Sequence, residues 1–208
     1  MTFKEYTINF SLQISDLEEV LVALFHTITF HRTFPTLTFK DGAVSYTSYI
    51  GTEDVDCRNV DLTYVRVASK AVHERIAGQV ALFSKALHDE AKNSSDKSTR
   101  GSIALAFVIN RKGNWVLGSE PSAWERWTVN IEVQPPSIDN GHHRQRLSSQ
   151  LKGEMLYVLD CINTSESYLP ELGCSQTDCD HVIDFSMPEV SPYRFVLSYI
   201  TGKKQSPQ

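Results

Sequence analysis

Polar and apolar residues alternate through Tyr6, Ile8, Phe10 and Leu12, the two-residue period of a half-buried strand. The period then changes. Leu17, Val20, Leu21, Leu24 and Ile28 recur at helical spacing, with Phe25 widening the stripe. Ser15 followed three residues later by Glu18 has the form of a capping box, and Pro35 requires the helix to end before it. Val22 and Phe30 fall outside the stripe, which predicts a helix covered on more than one side.

Two alternating runs, residues 37–39 and 44–49, flank Lys40-Asp41-Gly42, a hairpin turn signal. An acidic loop, Glu53-Asp54-Val55-Asp56, precedes a β-branched and aromatic strand over residues 62–67. Ser69 is placed to cap a second long helix with the stripe Val72, Ile76, Val80, Phe83 and Leu87. Residues 92–100 carry no large apolar group and read as an exposed loop. Strands are predicted over residues 103–109 and 127–133, joined by a loop at 111–121. Residues 135–144 read as irregular, a third helix spans about 146–163, and strands near 181–186 and 193–200 close the pattern. This order predicts an α+β fold, a largely antiparallel sheet packed with three main helices. We expect one domain over residues 1–201 and a short polar tail at 202–208.

Composition narrows the classes without changing the fold. The 208 residues are enough for one sizeable core, and 41% hydrophobic with 22% charged is a globular balance. A net charge of −5 argues against nucleic acid or an anionic membrane surface as the partner. Residues 1–10 lack the basic-then-apolar form of a secretory signal, and no run approaches the roughly 20 apolar residues of a membrane span. Four scattered cysteines do not make a disulfide scaffold, so a cytoplasmic location is expected.

Candidate chemistry is sparse. There is no Gly-rich phosphate loop, His-Glu-x-x-His, Gly-x-Ser-x-Gly or Cys-x-x-Cys. Asp54 and Asp56 are the carboxylates for a divalent cation, but no further spaced carboxylate accompanies them, and a solvated turn is the simpler reading. Cys174, Cys179 and His181, with Cys161 as a fourth ligand, would suit zinc. The five-residue step between the first two is wide for that, which favours free thiols. A small metal-dependent enzyme on either set is the alternative to a binding protein; the favoured reading has no catalytic residue, cofactor or metal. His26 and His31 lie five apart, off one common face, and His31 at the stripe's edge reads as a hydrogen-bonded core histidine. His142 and His143 sit in a polar stretch and read as solvated.

Two features point to protein binding. Gly113 and Gly118 bound a loop carrying Trp115, Val116 and Leu117 in sequence. Such a tip suits a partner's pocket, and equally suits plugging the chain's own core; both readings stay open. In the third helix the stripe is Leu147, Leu151, Met155, Val158 and Ile162, yet Leu156 points roughly opposite it and Leu159 lies between. The extra apolar side is left for a neighbouring loop or a partner chain.

Several runs resemble the autophagy-related protein 101 family. They are Ile50-Gly51-Thr52-Glu53-Asp54-Val55-Asp56-Cys57 continuing to Asp61-Leu62-Thr63-Tyr64-Val65-Arg66-Val67, and Leu24-Phe25-His26-Thr27-Ile28 with His31-Arg32. Trp124-Glu125-Arg126-Trp127-Thr128-Val129, Tyr168-Leu169-Pro170 and Pro192-Tyr193 complete the set. The resemblance implies a HORMA domain without enzymatic activity or cofactor. It also implies pairing with, and stabilisation of, the HORMA domain of autophagy-related protein 13, and work at the phagophore assembly site. A protruding Trp-Pro-Phe finger of the family, which recruits downstream autophagy factors, maps onto Trp115, Val116 and Leu117. Here Val stands for proline and Leu for phenylalanine, giving a less rigid and less aromatic finger.

Overall fold

The computed structural model describes residues 3–40, 43–46, 49–93, 99–110, 121–136, 139–164, 168–173 and 175–202. Strand β1 (Lys4–Gln13) alternates as its sequence predicts, burying Ile8, Phe10 and Leu12. Helix α1 (Leu17–Phe30) buries Leu17, Val20, Leu21, Ala23, Leu24, Phe25, His26, Ile28 and Thr29, so it is wrapped nearly all round. Its N-cap differs from expectation. Asp16 holds that position and makes no side-chain cap bond, while Ser15 donates to the Asp16 carboxylate. Glu19, not Glu18, is the working carboxylate of the first turn, accepting the backbone N–H groups of Arg58, Asn59 and Val60. After His31 the chain enters β2 (Thr33–Pro35).

The hairpin β3 (Leu37–Lys40) and β4 (Ala43–Tyr46) forms where it was expected. The next segment does not. Residues read as an acidic loop are β5 (Thr52–Asp56), paired antiparallel with β6 (Thr63–Val67). Its side chains are mostly polar and exposed, so no apolar period announces a strand held by backbone bonds to its neighbour. Helix α2 (Lys70–Asn93) starts after Ser69, whose Oγ accepts the Val72 N–H. All five residues of its predicted stripe are fully buried.

The central sheet joins β7 (Thr99–Ile109), β8 (Ser122–Gln134) and β10 (Phe195–Thr201) to β1 in the order β1-β8-β7-β10. β1 runs parallel to β8; the other two pairings are antiparallel. α2 lies against the inner face. Gly101 lets it approach: a Cβ there would sit 2.9 Å from both Phe83 and Leu87 side-chain carbons and 3.1 Å from the Ile200 carbonyl. β9 (Val190–Pro192) pairs with β2.

Further expectations shift: β7 begins at Thr99, inside the stretch read as a loop, and β8 at Ser122 rather than near 127. Helix α3 (Asn140–Ile162) begins in the stretch read as irregular, because the Asp139 carboxylate accepts the His142 N–H and caps it. The strand expected near residues 181–186 is absent, and a short α4 (Gln176–Cys179) is followed by turns with one bridge, Ile183 to Tyr193. Asp184 takes the Ser186 N–H and hydroxyl and pairs with Arg75, so local side-chain bonds replace a ladder. The result is an α+β fold with four helices among the described residues and an antiparallel-dominated sheet, compatible with a HORMA-like arrangement.

Candidate functional site: a buried charged knot and an exposed helix flank

Residues from four separate sequence runs, His31-Arg32, Trp124 to Trp127, Tyr168 and Tyr193, meet in one place. Opposite the Phe107/Val108 step of β7 the register of β8 slips by one residue, so Trp124 is the extra residue of a bulge. Trp124 and Glu125 are therefore both buried, at 2% and 0% exposure, in line with Trp127, Val129 and Ile131. Arg32, just beyond α1, answers the carboxylate with Nε at 3.1 Å and Nη2 at 2.8 Å from Glu125 Oε2. Trp127 Nε1 donates to the other oxygen, Oε1, at 2.6 Å. Arg32 Nη2 also donates to the Tyr168 hydroxyl at 2.8 Å, and Nη1 donates to the His31 carbonyl. The guanidinium lies 5.9 Å from the Trp124 ring centroid and 5.8 Å from that of Tyr168.

The knot extends outward through aromatic groups. Tyr168 hydrogen-bonds Tyr6, which stacks on Trp127 with centroids 4.1 Å apart. Burial, then the nearby Glu125 carboxylate, pushes the Tyr168 phenol up, so it stays a neutral donor. Tyr193 donates its backbone N–H to the Arg32 carbonyl and packs edge-on against Trp124 at 5.1 Å. Burial pushes its phenol up to about 12. Chain segments far apart in sequence are thus tied at one buried ion pair, which is worth most as a fixed junction. In the sequence these residues stand in separate runs that nothing local joins. The available signal was Glu125 in phase with the buried face of its strand.

Other candidates fall elsewhere. Asp54 and Asp56 lie exposed on β5, where Asp56 accepts the Thr63 hydroxyl at 2.6 Å. Cys179 is buried and its thiol reaches the Gly173 carbonyl; Cys161 is half-buried; Cys174 lies outside the described residues. Among the described residues no three His, Cys, Asp or Glu side chains group as a metal set. His31 is exposed at the end of α1, and His26 is the core histidine, 1% exposed. His143, expected in solvent, reaches Asp16 at 2.8 Å in a largely buried pair that ties α3 to the start of α1. No helix among the described residues is long and apolar enough to cross a membrane.

The two binding features differ in what can be described. Trp115, Val116 and Leu117 lie outside the described residues, between β7 and β8. Leu156 is described. Leu147, Leu151 and Val158 of α3 are buried and Met155 and Ile162 half-buried, while Leu156 is 53% exposed with Tyr157 exposed beside it. The apolar arc wider than one helix face is present, and its second side meets solvent.

The profile of the family described as Autophagy-related protein 101 matches residues 9–176. Autophagy-related protein 101 of Xenopus tropicalis is 28% identical over 203 residues, covering 96% of this chain and 89% of that protein. The Homo sapiens protein is 28% identical over 201 residues with the same coverage, and that of Schizosaccharomyces pombe 24% over 165 residues, 79% and 77% of the two chains. The matched span holds Arg32, Trp124, Glu125, Trp127 and Tyr168, most of the knot: the chain belongs to the autophagy-related protein 101 family.

Proposed function

We propose that this chain is a non-enzymatic adaptor of the autophagy initiation kinase complex, pairing with and stabilising the HORMA domain of autophagy-related protein 13. Family membership over residues 9–176 gives the autophagy-related role and carries the reading. In this reading residues 1–201 are a single HORMA-like domain followed by a short polar tail at 202–208. The protein works in the cytoplasm and at the phagophore assembly site. The exposed side of α3 at Leu156 supports a contact surface for the partner, since Leu156 and Tyr157 there are only partly covered by the chain's own described residues. The Trp115, Val116 and Leu117 loop is assigned the recruitment of downstream factors.

Co-purification with the partner HORMA domain tests the pairing; a one-to-one complex is expected, and its absence overturns the reading. The finger is tested by replacing Trp115 and Leu117 together with alanine. A protruding finger loses less than about 1 kcal/mol of stability, keeps the heterodimer and fails to recruit later factors. A loop that plugs its own core loses roughly 3 to 5 kcal/mol instead.

A further inference from the structure

Apart from the knot, a cation also meets buried polar groups where α1, α2 and β6 come together. His26 of α1 and His73 of α2 stack with centroids 5.3 Å apart and planes 17° from parallel, and His26 Nε2 lies 3.1 Å from His73 Nδ1. Arg66 of β6 points its Nη1 at that same Nδ1, 2.8 Å away. A guanidinium has only donors, so His73 Nδ1 must be a lone pair. His73 therefore carries its proton on Nε2. His26 can share the same lone pair only by donating from its own Nε2, which leaves His26 Nδ1 as a buried lone pair without a hydrogen-bond partner.

Two lone pairs are open to an added proton, the unpartnered Nδ1 of His26 and the Nδ1 of His73 that Arg66 and His26 share. His26, 1% exposed, is the costlier of the two to charge, and protonating His73 Nδ1 turns the acceptor into a donor. His26 can answer by releasing its Nε2 proton and taking one on Nδ1, so that Nε2 now accepts from His73. Arg66 has no such answer. Its remaining partner is Glu53 of β5, held at 3.0 Å from Nε and 2.9 Å from Nη2, and both residues belong to the β5–β6 hairpin itself.

We propose that His73 is an acid-sensitive clasp: at neutral pH its Nδ1 holds Arg66 and with it the β5–β6 hairpin against α1 and α2, and protonation releases the hairpin. Arg66 and Tyr64 of β6, Glu53 of β5, His26 of α1 and Glu74 of α2 are the groups that face the histidine pair. Burial and the Arg66 charge hold the His73 imidazole below the usual histidine range, with Glu53 and Glu74 opposing. Tyr64 and Val67, buried on the hairpin's inner side, are what release would uncover.

Two measurements on the full chain test this. Two-bond nitrogen–proton spectra at pH 7.5 report the tautomer directly: His73 protonated on Nε2 is expected, and a proton on Nδ1 overturns the proposal without any variant. Hydrogen exchange, corrected for its intrinsic pH dependence, is then followed from pH 7.5 to 5.0. The amides of residues 52–56 and 63–67 are expected to speed up about tenfold relative to the central sheet. The variant His73→Gln keeps an acceptor for Arg66 but does not titrate, so its hairpin is expected to stay protected at pH 5.0. An equal acid response in His73→Gln, or none in the unaltered chain, overturns the clasp.

Discussion

His26 on helix α1 and Arg32, just past the C-cap His31, are six residues apart and sit in opposite kinds of environment. Arg32 is 3% exposed and its carboxylate partner 0%, with the second carboxylate oxygen filled by Trp127 and the aromatic walls closed by Trp124 and Tyr168. His26 is as deeply buried, yet its neighbours are another imidazole and an arginine whose Glu53 is half exposed. One region pairs its charge on both carboxylate oxygens and leaves without a partner only the Trp124 indole N–H, which neither gains nor loses a proton. The other keeps a lone pair in reserve. A paired charge makes a junction that does not respond to its surroundings, whereas an open lone pair leaves a group that a single proton can rearrange.

The largest expected effect breaks the first region. Arg32→Met leaves Glu125 buried without its cation, and a loss of about 3 to 5 kcal/mol is expected in urea unfolding. Adding Glu125→Leu removes the stranded charge and should regain part of this. It cannot regain all, because Trp127 Nε1 then loses its acceptor, a cost of about 1 to 3 kcal/mol. A double variant no more stable than Arg32→Met would mean that the carboxylate is not the source of the loss.

The second region should dominate the pH dependence. Burial, then the His73 and Arg66 charges, pushes His26 down to about 3, against 6.5 for an exposed histidine. Below pH 6.5 the unfolded chain binds a proton there that the folded chain refuses, so stability is full above pH 6.5 and falls as pH drops toward 3. At pH 5 the loss from His26 approaches about 2 kcal/mol. His26→Leu should flatten the profile in this window, while Tyr168→Phe in the knot should lower the whole curve and leave its slope. A flat profile for the unaltered chain would erase the contrast between the two regions.

How much of this was legible depends on the kind of signal. The stripe Val72, Ile76, Val80, Phe83 and Leu87 is a strong local period, and every member is buried. Leu156 was legible for the converse reason, breaking a period that its helix otherwise obeys. β5 was not legible, since its exposed Thr52, Asp54 and Asp56 carry no apolar rhythm and its hydrogen bonds belong to β6. His31 was preferred to His26 because a stripe assumes one buried face, and α1 is buried almost all round. The knot was half legible. Glu125 in phase with Trp127 and Val129 marks a carboxylate facing the core, but nothing local names Arg32, 93 residues away, as its partner.

The smallest effect on stability is expected where neither region reaches. Leu156 is 53% exposed on α3, so the free folded chain gains little from its side chain. Leu156→Asp should change unfolding free energy by no more than about 0.5 kcal/mol, as at ordinary surface positions. If the flank meets the partner HORMA domain, the same substitution puts a charge into an apolar contact and should weaken the heterodimer about tenfold or more, a cost of 1.4 kcal/mol or above. Unfolding curves and a binding titration on one variant separate the possibilities. A large loss of stability would make Leu156 a core residue after all. An unchanged fold with unchanged affinity would move the pairing surface off this flank. Only a stable chain that binds poorly leaves the exposed side of α3 as the place where the partner supplies the cover that the chain itself withholds.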